Sequence, residues 1–122
     1  MNNFSTLFSD VDGTLLYSLE KWSLKDIEKI VHANAPLPGV IDKLTDWRNR
    51  GNLIVLTTAR PHILKSFTEN ELKRLKIPFD YLMMGMGTGD RKIMNNYGIN
   101  STIPTAYAIN VAANKGLEDI TI

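Results

Sequence analysis

The chain reads as an α/β domain, a mainly parallel five-stranded sheet with helices on both faces, formed by residues 1–122 as one unit. Three observations predict it. Short apolar runs alternate along the chain with stretches whose apolar residues recur at helical spacing, the pattern of parallel strands joined by right-handed crossovers. Leu53-Ile54-Val55-Leu56 is interrupted by no polar residue, as in a strand buried on both faces. Asp10, Asp12, Thr57 and Asn96 all fall at or just past the ends of such runs, on the rim where sheets of this kind hold ligands.

Phe4 to Phe8 is the first strand candidate. Ser23-Leu24-Lys25-Asp26 resembles a capping box, and Leu24, Ile27, Ile30 and Val31 follow at helical spacing, which predicts a helix over 23–33. Ala35-Pro36-Leu37-Pro38 ends it. A second helix is expected from Pro38 through Val40, Ile41, Leu44 and Trp47 to Gly51, a residue suited to a helix end. The second strand spans 52–58. A third helix, from Pro61 to Lys76, would turn Ile63, Leu64, Phe67, Leu72 and Leu75 inward and set Glu69 and Lys73 as an i, i+4 pair outside. Asp80 to Met84, Arg91 to Asn95 and Thr105 to Val111 complete the expected strands. One link is tight: Gly85 to Asp90 reaches at most about 20 Å extended, little for a parallel crossover. The third strand is then very short, or its pairing unusual.

Composition narrows the function classes. Hydrophobic residues at 43% and charged residues at 22% describe a globular chain with a real core rather than a disordered one. A formal charge of +1 leaves no electrostatic footprint for nucleic acid or an anionic membrane surface. The absence of cysteine removes disulfides, thiolate nucleophiles and thiolate metal sites. Met1-Asn2-Asn3 opens no signal peptide, and no run approaches the length of a membrane span. A cytoplasmic protein with no membrane partner is the expectation.

The chemistry concentrates in Ser9-Asp10-Val11-Asp12-Gly13-Thr14. On an extended chain, i and i+2 side chains share a side, so Asp10 and Asp12 leave the strand tip together. Two carboxylates that close repel, and the pair calls for a cation, a shared proton, or both. Gly13 lets the chain turn away at once. Alone, D-x-D-G is a weak signal, and it is not an EF-hand loop because the later acidic ligands are missing. An apolar strand, D-x-D-G-T, and then a second apolar strand ending in Thr57-Thr58-Ala59-Arg60 is a much rarer combination.

On these residues the chain resembles the haloacid dehalogenase superfamily of phosphohydrolases. Its first motif is D-x-D-G-T after a strand and its second a threonine or serine ending the next; Asp10 to Thr14 and Leu53 to Thr57 match both. The resemblance implies a Rossmann-like fold without an inserted cap domain, with Asp10 as the nucleophile that forms an aspartyl-phosphate and Asp12 as general acid and base. It also implies Mg²⁺ as cofactor, bound by Asp10, Asp12 and the residue at position 96, and a phosphoryl group held by Thr57 and the backbone N–H of Thr58. The roles are physically coherent: attack on a phosphoryl dianion needs charge neutralisation, and the leaving oxygen needs a proton.

The later motifs depart from the usual pattern. Met86 stands where short members tend to carry lysine. Gly89-Asp90-Arg91, followed by Ile93 to Asn96 and by Thr105-Ala106-Tyr107-Ala108-Ile109-Asn110, resembles small bacterial members linked to capsule or surface-polysaccharide synthesis. By that resemblance Arg91, with Lys92 second, faces the phosphate, and the final metal-binding aspartate falls on Asn96. An amide oxygen can still serve Mg²⁺, with one negative charge fewer. The expectation is a phosphatase acting on a small phosphate ester such as a sugar phosphate, weaker in metal or supplied with an acid by Asp90; the alternatives are a relative that binds without turnover and a nucleic-acid end phosphatase, against which the balanced charge argues. The open site would admit a large substrate or be closed by a neighbouring subunit in a homo-oligomer. Arg60 reads more readily as an ion-pair or surface residue than as a substrate contact, His32 and His62 as solvated or packing residues, and Trp47 as core. Tyr17 and Trp22 flank the loop past Asp12, as a packed turn or a flap. Gly85, Gly87 and Gly89 lack a following P-loop lysine and read as a flexible loop.

Overall fold

A computed structural model describes residues 4–18 and 35–122. In chain order it contains β1 (Thr6–Asp10), α1 (Val40–Asn49), β2 (Leu53–Thr57), a 3₁₀ turn (His62–Leu64), α2 (Lys65–Arg74) and β3 (Tyr81–Met83). The helix expected over 23–33 lies outside the described residues.

The strands form one parallel sheet in the order β1-β2-β3. The register sets Leu7 beside Ile54, Phe8 beside Val55 and Asp10 beside Thr57, so the first two apolar runs end side by side. β1 lies further along the chain than its apolar run suggested, because pairing with β2 extends to Asp10.

The expected α/β class with a parallel sheet holds, but not the five strands. Among the described residues there are three, and neither 91–95 nor 105–111 forms a strand. For 91–95 the short link is the physical reason: β3 has only three residues, and the six residues from Gly85 to Asp90 are too few for a parallel crossover. Met94 is fully exposed, and Tyr107 keeps 74% of its surface open.

Helices on both faces are likewise not found among the described residues. Leu44 of α1 and Leu72 of α2 are buried in one cluster with Ile54 and Leu56 of β2. Strand side chains alternate, so both helices cover the same face of the sheet. On the other face Phe8, Tyr81 and Met83 are exposed.

α1 is entered through Gly39, at φ 78°, and left at Gly51, at φ 88°, the ending expected of that glycine. Its first turn holds Asp42 and its last Arg48, each favourable to the helix dipole. Trp47 is partly buried against the core and donates its indole N–H to the Leu53 carbonyl at 2.8 Å. In the next helix the inward stripe differs from expectation. Leu72 and Thr68 are fully buried, while Ile63, Leu64 and Phe67 are exposed. The 3₁₀ turn over 62–64 winds about three residues per turn, which rotates those side chains out of phase with the α-helix that starts at Lys65.

The C-terminal segment closes the core from the side. Leu117 is buried and its N–H donates to the Pro38 carbonyl at 2.7 Å. Gly116, at φ 81°, lies so close to that carbonyl that a Cβ would collide with it. No helix among the described residues is long and apolar enough to cross a membrane.

Candidate active site

Asp10 is the last residue of β1, and the chain beyond it folds into a tight turn. The Val11 carbonyl accepts from the N–H groups of Thr14, Leu15 and Leu16, and the Gly13 N–H donates to Leu16 O at 2.7 Å. Val11 and Leu15 are fully buried, so the apolar residues of the turn anchor it while the polar ones face out. Gly13 supplies the positive φ, 90°, that the turn needs.

The two acids meet different surroundings. The Asp10 carboxylate accepts from the Thr14 hydroxyl at 3.4 Å. Partial burial of its carboxyl pushes the pKa above the ordinary value; the Val11 N–H opposes this, the Asp12 charge adds to it, and the Arg91 and Thr14 side chains work against it. The Asp12 carboxylate is gripped by Arg60, whose Nε donates to Oδ2 at 2.9 Å and Nη2 to Oδ1 at 2.7 Å. The remaining nitrogen of the guanidinium, Nη1, donates to Glu71 Oε1 at 3.0 Å and to the Thr68 hydroxyl at 3.2 Å. The bonds to Asp12 hold the Arg60 pKa above its usual value against partial burial.

Thr57 stands beside Asp10 in the parallel ladder. Its buried hydroxyl donates to the Ser9 carbonyl at 3.4 Å. The Thr58 N–H, expected to face a phosphoryl group, donates instead to Met83 O at 3.0 Å, and the Thr58 hydroxyl accepts from the Arg60 N–H. β3 takes this donor, and the helix after β2 begins only at Lys65.

Arg91 is exposed and donates to the Gly89 carbonyl, yet it is near enough for its charge to act on Asp10. Asn96 is exposed and its backbone carbonyl accepts from the Thr105 hydroxyl. No hydrogen bond joins it to either acid among the described residues. Gly85 packs under the His62 ring, where a Cβ would sit 2.8 Å from Nε2, so this glycine has a packing role beyond loop flexibility.

Of the residues expected to hold Mg²⁺, Asp12 accepts from Arg60 through both oxygens, Asp10 accepts from the Thr14 hydroxyl, and the backbone carbonyl of Asn96 accepts from Thr105. The described residues contain no group of three or more histidines or acids placed to hold a metal.

The comparisons with known proteins add little. No family model and no curated protein matches the sequence. One similar solved structure is described as a "putative beta-phosphoglucomutase from Thermotoga maritima", with 19% identity and a TM-score of 0.44. The match covers 73% of this chain and 64% of that one.

The ion-pair reading of Arg60 agrees with its contacts to Asp12 and Glu71, and the strand register shows why Asp12 is one of the partners. Asp10 and Thr57 end neighbouring parallel strands, so the acid two residues past one and the arginine three residues past the other leave the sheet at the same rim. There the two side chains meet.

Proposed function

We propose that this chain is a phosphomonoester hydrolase working through an aspartyl-phosphate on Asp10. The observation that carries the reading is the ladder register: an exposed carboxylate at the end of β1, side by side with Thr57 at the end of β2, and a second carboxylate held in the turn that follows. The D-x-D-G-T and threonine motifs of the haloacid dehalogenase superfamily support it.

In the first step an Asp10 oxygen attacks phosphorus, the bond from phosphorus to the ester oxygen breaks, and that oxygen takes a proton from Asp12. In the second, Asp12 draws a proton from water, the hydroxide attacks phosphorus, and inorganic phosphate leaves with the Asp10 carboxylate restored. Arg91 supplies positive charge near the nucleophile. A sugar phosphate of polysaccharide synthesis is the substrate class that the later motifs favour.

The test is turnover of p-nitrophenyl phosphate by the full chain, with Mg²⁺ and with a chelator. Asp10→Asn is expected to bring turnover to the buffer level; turnover unaffected by that change overturns the reading. Activity that survives chelation removes Mg²⁺ from it. A second reading, a binding protein without turnover, is favoured by one observation: the Thr57 hydroxyl and both Asp12 oxygens are already engaged within the protein. It predicts no turnover on any phosphate ester, with Mg²⁺ binding strengthened in Asn96→Asp.

A further inference from the structure

One guanidinium ties the turn after β1 to a helix that contributes nothing else to the site. Arg60 makes four side-chain hydrogen bonds, two to Asp12, one to Glu71 and one to Thr68. Thr68 is fully buried in α2, and the Arg60, Glu71 and Asp12 side chains keep only 18%, 20% and 32% of their surface exposed. The cluster is therefore a partly dehydrated one with fixed geometry. Glu71 and Thr68 hold the guanidinium from behind, so it cannot swing with Asp12, and the planar fork dictates the plane in which the carboxylate lies.

We propose that Arg60 is a positioning residue, which holds the Asp12 carboxylate in the orientation from which it exchanges protons with the leaving oxygen and with water. The bidentate contact occupies the edge of the carboxylate that faces Arg60 and leaves the opposite lone pairs for a proton. Glu71 competes for the same cation, so Asp12 is oriented without being fully neutralised. This role rests on the assignment of Asp12 as acid and base, and it predicts a signature that a scaffold residue lacks.

A misplaced general acid matters most when the leaving group is poor. Phenyl phosphate needs its leaving oxygen protonated far more than p-nitrophenyl phosphate does. In Arg60→Gln, kcat/KM for phenyl phosphate is expected to fall about 100-fold, the usual scale of acid catalysis, and for p-nitrophenyl phosphate less than about 10-fold on the same scale. Asp12→Asn should show the same inequality. Arg60→Lys, which keeps the charge and loses the fork, should recover only part of the difference. Equal losses on both esters in Arg60→Gln, beside unequal losses in Asp12→Asn, overturn the proposal.

A second measurement separates this from the phosphatase reading. If the unmodified chain turns over neither ester, that reading fails, and the grip on Asp12 is judged from thermal melts of Arg60→Gln, Asp12→Asn and the double variant. Coupled residues give a double variant that melts near the lower of the two single ones. Summed losses in melting temperature overturn the proposal whatever the activity.

Discussion

Asp10 is in a position that disfavours its ionised form. Partial burial of the carboxyl and the nearby Asp12 charge both favour its neutral form. In the unfolded chain neither acts, so the native state binds the proton more tightly than the unfolded state does. Stability from this group is therefore present at low pH and is lost as pH rises past the ordinary carboxylate value through the raised native one. Above that window the ionised carboxyl costs the fold stability. Asp10→Asn should thus melt at a higher temperature than the unmodified chain at pH 7, with the gap closing as pH falls toward about 4, below which the unfolded carboxyl is also neutral. A differential scanning series across pH reads this out, and a variant less stable at pH 7 would contradict it. The neighbouring carboxylates of Asp10 and Asp12 were legible in the sequence because a short motif fixes their spacing. The Arg60 grip was not, because its three partners, Asp12, Thr68 and Glu71, come from two other elements and only the strand register brings them together.

At the scale of elements, α2 ends in a device that the sequence does not advertise. The Ile77 N–H donates to Leu72 O at 3.0 Å and the Lys76 N–H to Lys73 O at 3.1 Å, the paired bonds of a Schellman motif. Buried Ile77 and Leu72 supply the apolar contact that accompanies it. The left-handed position belongs to Lys76, at φ 61°, where a β-carbon costs roughly 1 to 2 kcal/mol. Lys76→Gly relieves that strain and gives the unfolded chain more freedom. The balance should be a gain of about 0.5 to 1 kcal/mol by denaturant melt, with no change in turnover. Leu72→Ala should lose about 2 to 5 kcal/mol, since its side chain is fully buried in the cluster that joins both helices to β2. The apolar periodicity identified α2 but misjudged its face. The early members of the stripe, Ile63, Leu64 and Phe67, belong to a 3₁₀ turn and the first helical turn after it, and period alone does not show where one winding gives way to the other.

At the scale of the molecule, the parallel core of β1, β2 and their helices follows from local patterning, whereas the missing fourth and fifth strands follow from connectivity. The link from Gly85 to Asp90 is too short for a parallel crossover into 91–95, and the apolar pattern within 91–111 does not reveal that. Long-range closure instead depends on Asn114, which lies far along the chain from the turn it holds. Its side chain accepts from the Ser18 N–H at 2.7 Å and donates to the Ser18 carbonyl at 2.9 Å, and its own N–H donates to Gly13 O at 2.7 Å. One residue thereby pins the segment after Asp12 at Gly13 and at Ser18. Asn114 sits at φ 62°, so replacing it tests two things at once unless the backbone is spared. Asn114→Gly keeps the left-handed backbone and removes only the amide; stability should fall by about 1 to 3 kcal/mol for the two lost bonds, and the Ser18 amide should exchange with solvent faster while β2 amides, paired on both sides, stay protected. Asn114→Asp retains the acceptor for the Ser18 N–H and loses the donor to its carbonyl, so Ser18 protection should survive there in part. Equal Ser18 exchange in all three proteins would show that the turn holds itself through Val11 and Leu15 alone.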